Sequence, residues 1–110
     1  ADMHYLVDVA DGWYAVTDQS AQVGFGLRFP VKVFPHVWLF RSFGGWRGLH
    51  TLILEPSTGY PFDLTAAAQA GHCAVMPPHG AVEAEVLAVP FAGMRSVREV
   101  RPDGRVLPSR

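Results

Sequence analysis

Apolar and polar positions alternate along most of the chain in short runs, and Gly, Pro or Asp interrupts them about every eight to twelve residues, the spacing of an all-β sandwich or barrel. Residues 4–9 form a first β-branched run, closed by Asp11-Gly12. Residues 13–17 form a second, and Asp18-Gln19-Ser20 has the composition of a hairpin turn. Residues 23–29 alternate, with Gly24 and Gly26 lightening one face, and Pro30 ends them. After Pro35, His36-Val37-Trp38-Leu39-Phe40-Arg41 reads as a central aromatic strand, with Arg41 on the face opposite Trp38. Ser42 to Gly48, with its paired glycines, reads as a loop. Residues 49–55 are the most hydrophobic strand, and Pro56, lacking an N–H, is expected to stop its ladder. A strand is expected at 73–76 and a turn at Pro77-Pro78-His79-Gly80. A long alternating strand over 81–89 would set Glu83 and Glu85 on one solvent-facing side. A single segment argues for a helix: Asp63 can cap residues 64–70, and Gly71 suits the left-handed position just beyond.

The predicted fold is therefore an all-β antiparallel β-sandwich with one short helix near 64–70. At 110 residues the chain fits a single domain, 1–110, and can bury roughly two thirds of its unfolded surface without metal or disulfide staples. Apolar residues make up 49% and charged ones 17%, which excludes a disordered tail. No apolar run approaches the ~20 residues of a membrane-spanning helix, and no membrane partner is expected. The opening Ala1-Asp2-Met3-His4 has no basic or apolar signal region, so no secretory leader is expected within the sequence. Nine basic residues against ten acidic ones leave no excess to attract nucleic acid. The arginines at 95, 98, 101 and 105 are interleaved with Glu99 and Asp103, as on a solvated terminal strand. Cys73 is alone, which rules out an intrachain disulfide and fits a reducing cytoplasm.

Candidate chemistry is sparse. The five histidines, at 4, 36, 50, 72 and 79, never fall two to five apart, so no metal is expected. There is no glycine-rich phosphate loop and no Gly-x-Ser-x-Gly elbow, and no cofactor is expected. Glu55 is the odd residue, a carboxylate closing Thr51-Leu52-Ile53-Leu54-Glu55-Pro56. It either meets water at the sheet rim or is held at a site, where desolvation would raise its pKa toward the value a general base needs.

Several stretches taken in order resemble the galactose mutarotase (aldose epimerase) superfamily. They are Val23-Gly24-Phe25-Gly26-Leu27-Arg28-Phe29, Val33 to Phe40, and Leu52-Ile53-Leu54-Glu55-Pro56-Ser57-Thr58-Gly59-Tyr60-Pro61. Leu64 to Gly71 leading into Met76-Pro77-Pro78-His79-Gly80-Ala81-Val82 completes the series. The resemblance implies a C-terminal portion of a large antiparallel supersandwich that binds a hexose on its concave face. It further implies that Glu55 takes the proton from the anomeric hydroxyl while a histidine protonates the ring oxygen. Asp2 and His4, in Asp2-Met3-His4-Tyr5, would correspond to a hydroxyl-holding aspartate segment. The family's catalytic histidines lie in a half that this chain does not match, so no histidine here inherits the acid role.

Aromatic side chains extend the binding hint. Trp13, Trp46 and Tyr60 can stack on a sugar's apolar face, Trp38 reads as core, and Arg41 can donate to hydroxyls. The candidate set is thus Glu55 as base, with Asp2, His4, Arg41, Trp46 and Tyr60 for binding a small carbohydrate. The surplus of apolar strand residues, as in Trp38-Leu39-Phe40 and Leu52-Ile53-Leu54, predicts strands covered on both faces. A homodimer is the expected cover, and a non-catalytic half-sandwich that pairs with itself is the rival reading.

Overall fold

The computed structural model describes residues 1–109. It is all-β and antiparallel, with eight strands in three sheets and one short helix among the described residues. The strands are β1 (Asp2–Leu6), β2 (Trp13–Asp18), β3 (Val23–Arg28), β4 (His36–Trp46) and β5 (Leu49–Ser57). After the helix α1 (Leu64–Ala70) come β6 (Leu87–Ala92), β7 (Val97–Val100) and β8 (Val106–Pro108). Within the stretch read as one domain, contacts define two compact units. Unit 1 comprises Ala1–Ala10 and Val31–Glu83, and unit 2 comprises Asp11–Pro30 with the residues from Ala84 onward. No described helix is long and apolar enough to cross a membrane.

Unit 1 is the three-stranded sheet β1-β4-β5 with α1 and its flanking segments. Strand β4 is central, with β1 opposite it from Asp2↔Arg41 to Leu6↔Val37 and β5 from His36↔Ser57 to Phe43↔His50. The expected loop at 42–48 is instead the distal half of a long hairpin, and only Arg47-Gly48 turns. The register shifts between Phe43 and Trp46, where Gly44 takes a left-handed φ of +94°. Buried Ser42 holds this irregularity: its hydroxyl donates to the Leu49 carbonyl (2.9 Å) and accepts from the Trp46 N–H (3.2 Å). Pro56 does not end β5, because β5 is an edge strand and needs no donor on its free side.

The helix forms where expected. The Asp63 side chain accepts from the Thr65 N–H at 3.0 Å, satisfying one of the first-turn donors. At the other end Gly71 adopts φ +77° and donates to the Ala68 carbonyl, while His72 donates to Ala67, the paired bonds of a Schellman cap. Ala67 is the buried face of the helix. The strand expected at 73–76 is irregular chain, because no sheet edge pairs with it. The turn at 77–80 forms, closed by the Gly80 N–H on the Pro77 carbonyl at 2.9 Å.

Unit 2 pairs β2-β3-β6, with the β7-β8 ribbon packed on β2 and β3. The Asp18 turn forms as read, with its carboxylate accepting from the Ser20 and Ala21 N–H groups. Gly26 has a structural reason: the completely buried Val100 of β7 occupies the space that a side chain there would fill. Arg28 fastens the same layer, pairing with Asp11 at 2.8 Å and donating to the Val100 carbonyl at 3.1 Å. The strand expected over 81–89 begins only at Leu87, where β3 supplies a partner; Glu83 and Glu85 are exposed on irregular chain. Among the clustered arginines, Arg105 pairs with Asp103 across the β7-β8 turn at 3.1 Å.

These contacts fix which side chains hold the fold. Val100→Ala should lower unfolding free energy by about 2 kcal/mol, from lost transfer energy and a residual cavity. Asp63→Ala should cost about 1 kcal/mol through the lost cap. Val23→Ala, at an exposed position, should stay within about 0.5 kcal/mol. Urea unfolding of the three variants followed by circular dichroism checks the ranking.

Candidate functional site

Antiparallel pairing sorts the unit 1 side chains onto two faces. Because Trp38 stands opposite Glu55 and Tyr5, these three share one face with Phe40 and Ile53. Because Arg41 stands opposite Asp2 and Leu52, those share the other face with His4 and Leu54. The six candidate residues therefore divide. Glu55 lies on the aromatic face, whereas Asp2, His4 and Arg41 lie behind it, and one small sugar cannot touch both sets through the sheet.

The rear set is brought together. Arg41 Nε bonds Asp2 Oδ1 at 2.8 Å, and His4 Nε2 lies 3.4 Å from Asp2 Oδ2. The Arg41 guanidinium also sits over the Phe43 ring at 5.8 Å. The hydrogen bond from Arg41 holds the Asp2 carboxyl below its ordinary range, and the same bond raises the already high pKa of Arg41. Arg41 thus gives its Nε–H to a carboxylate on the face opposite Glu55, with its side chain still partly in water.

The front set is aromatic. Trp46 meets Phe40 edge-to-face with centroids 5.9 Å apart, and the Arg47 guanidinium lies 5.4 Å from the Trp46 ring. Glu55 is exposed and faces Trp38 directly across the β4–β5 pair, where opposed Cβ atoms stand roughly 5 Å apart. Trp38 is half-buried, edge-to-face with Tyr5 at 5.6 Å, and its indole N–H donates to the Gly59 carbonyl at 2.8 Å. Trp13 belongs to β2 of unit 2.

Tyr60 sits in a cluster that the sequence reading missed. Its ring stacks on His72 (4.4 Å, 16°) and meets His36 edge-on (4.7 Å, 80°), with Tyr5 at 6.1 Å. The helix cap makes this possible, since His72 is the residue whose N–H closes the Schellman pair. Its carbonyl then accepts from the Tyr60 N–H at 3.0 Å. Gly59 permits the approach, because a side chain there would collide with the His72 carbonyl and the Cys73 Cα. His36 is buried, and its Nδ1 accepts from the Asp8 N–H at 3.2 Å. Strand parity did hold a signal for His36, which shares the face of Trp38 and Phe40; nothing local announces His72.

Beside Trp38 an open cavity of about 400 Å³ lies between the sheet, the 57–62 segment and α1. That segment includes a cis Tyr60–Pro61 bond. No group of three or more metal-ligating side chains occurs among the described residues. No model of a known protein family matches the chain, and neither the curated proteins nor the solved structures contain a similar one at a significant level.

The Asp2–Arg41 pair yields a pH test. A depressed folded pKa means that the pair contributes fully above the ordinary carboxylate range and is lost as pH falls through the depressed value. The Asp2 carboxyl carbon should therefore titrate by NMR at lower pH than an unpaired aspartate, and Arg41→Gln should move its midpoint upward.

Proposed function

We propose that the chain binds a neutral aldose on the aromatic face of the β1-β4-β5 sheet, in a mutarotase-like manner, with Glu55 as the carboxylate that accepts the sugar's hydroxyls. The observation that carries this reading is the register Trp38↔Glu55, which sets one exposed carboxylate beside a strip of aromatic rings. Pyranoses present polar hydroxyl edges and apolar C–H faces. A carboxylate beside indole and phenyl rings matches both, with hydrogen bonds for the former and apolar contact for the latter. Trp46 and Tyr60 flank this strip, so two of the five binding candidates accompany Glu55. Asp2, His4 and Arg41 are assigned to the structure of the rear face instead.

Should the anomeric hydroxyl be the one that Glu55 accepts, the carboxylate is the base for ring opening. A donor to the ring oxygen is then required on the same face. His36 is the histidine that strand parity supplies, diagonal to Glu55 at roughly 7 Å. The resemblance to the aldose epimerase superfamily supports reading the chain as part of a supersandwich, and the lone Cys73 suits a reducing cytoplasm.

An NMR titration with glucose and galactose should shift resonances at Glu55, Trp38 and Trp46 while leaving Asp2 and Arg41 unmoved. Glu55→Gln should preserve the fold and weaken binding roughly tenfold or more, the effect of losing a charged hydrogen-bond partner. Polarimetry separates binding from catalysis. Acceleration of mutarotation by the native chain, abolished in Glu55→Gln, supports the base role, and a native rate equal to buffer limits the protein to binding.

A second reading, self-assembly, has its own observation. The distal β4–β5 hairpin leaves Phe43 (71% exposed), Trp46, Leu49 and Leu52 in water, an arrangement that soluble chains cover. We infer a homodimer through this hairpin. Light scattering after size exclusion should give twice the single-chain 12.0 kDa, and Phe43→Lys should restore the single mass.

A further inference from the structure

The cavity against α1 has a lining that a bare sugar leaves unused. Its volume of about 400 Å³ falls within the ~300–1,000 Å³ span of small-molecule sites. Phe34, Trp38, Phe62, Leu64 and Ala67 form its apolar walls, and no charged side chain lines it among the described residues. The one polar atom of the Trp38 ring is already spent on the Gly59 carbonyl, so the indole offers the cavity only carbon surface. At the mouth, Phe62 and Leu64 are 75% and 73% exposed, large apolar side chains standing in water beside an apolar space. The cavity is also continuous with the face described above. Trp38 lines it and stands directly across from Glu55, and Ser57, two residues further along β5 and on the same face as Glu55, lines it too.

We propose that this cavity receives an aryl or short alkyl group carried by the sugar, so that the ligand is a neutral saccharide with an apolar substituent rather than a bare or phosphorylated one. This inference rests on the carbohydrate reading and narrows it. The sugar ring lies over the Glu55 and Trp46 side of Trp38, and the substituent passes the indole edge to reach Phe62 and Leu64. Burying a phenyl-sized group against these walls should tighten binding roughly tenfold to a hundredfold. Ser57 and Thr58 also line the cavity, but without a lining cation the charge of a phosphate would go unpaired there.

The test compares glucose, glucose 6-phosphate, phenyl glucoside and 6-O-benzylglucose with the full chain by NMR, following the Trp38 indole N–H. At least one aryl sugar should bind tenfold tighter than glucose, and glucose 6-phosphate should bind no tighter than glucose. Leu64→Lys, at an exposed helix position, and Ala74→Trp, at an exposed residue that also lines the cavity, should each erase the aryl advantage while leaving glucose affinity unchanged. Aryl sugars no tighter than glucose, a preference for the phosphate, or an advantage that survives both variants overturns the inference and leaves the sugar reading standing. No shift at Glu55 and Trp46 with any of the four probes overturns the sugar reading itself, and this inference with it.

Discussion

Strand β4 is hydrogen-bonded along both edges from Val37 to Arg41, to β1 on one side and β5 on the other. That double pairing fixes the whole of unit 1. A slip of one residue on either side would carry every side chain of the slipped strand to the opposite face. The register sets Glu55 beside Trp38 and Asp2 beside Arg41, and so separates a solvent-facing carboxylate among aromatic rings from one tied up by a guanidinium. The chemistry of the two carboxylates differs because their pairing partners differ, not because their sequence neighbourhoods do. Ser42, fully buried at the point where the hairpin becomes irregular, protects this register by satisfying backbone groups that the bulge would leave unpaired.

The second organising element of unit 1 is the cap of α1. A helix of two turns has little intrinsic stability, and its ends are where side chain and backbone together make it persist. Asp63 fixes the start, and Gly71 with His72 fixes the stop. The stop has a further consequence, because His72 leaves the helix in the one direction that brings its carbonyl to the Tyr60 N–H and its ring onto the Tyr60 ring. Gly59 lies under the same crossing and supplies the carbonyl that takes up the Trp38 indole. The stop of the helix and the anchoring of the Trp38 indole thereby meet at the Gly59-Tyr60 segment.

Unit 2 has a different basis. Its β3 strand carries glycine on the face toward β7, and Val100 fills the space, so the ribbon lies close on the sheet with Arg28 bonded to its backbone. The three prolines within strands, Pro56 in β5, Pro90 in β6 and Pro108 in β8, all occupy edge strands, where a missing donor costs nothing.

The residues themselves determined whatever depends on neighbours within a few positions. The helix is legible from Asp63 to Gly71 because capping is local, and the 18–22 and 77–80 turns are legible because Asp and Pro side chains shape their own backbone. Parity within β4 placed Arg41 opposite Trp38 before any partner was known. Tertiary structure decided the rest, because a strand exists only where another edge accepts it. Residues 73–76 and 81–86 have strand composition and no partner, whereas Ser42 to Trp46 have loop composition and a partner in β5. The candidate site divided for the same reason. The sequence carries the side chains Asp2, His4, Arg41 and Glu55, but the offset between β1, β4 and β5 places them on opposite faces. That offset is a property of three separated segments pairing at once, which no single segment encodes.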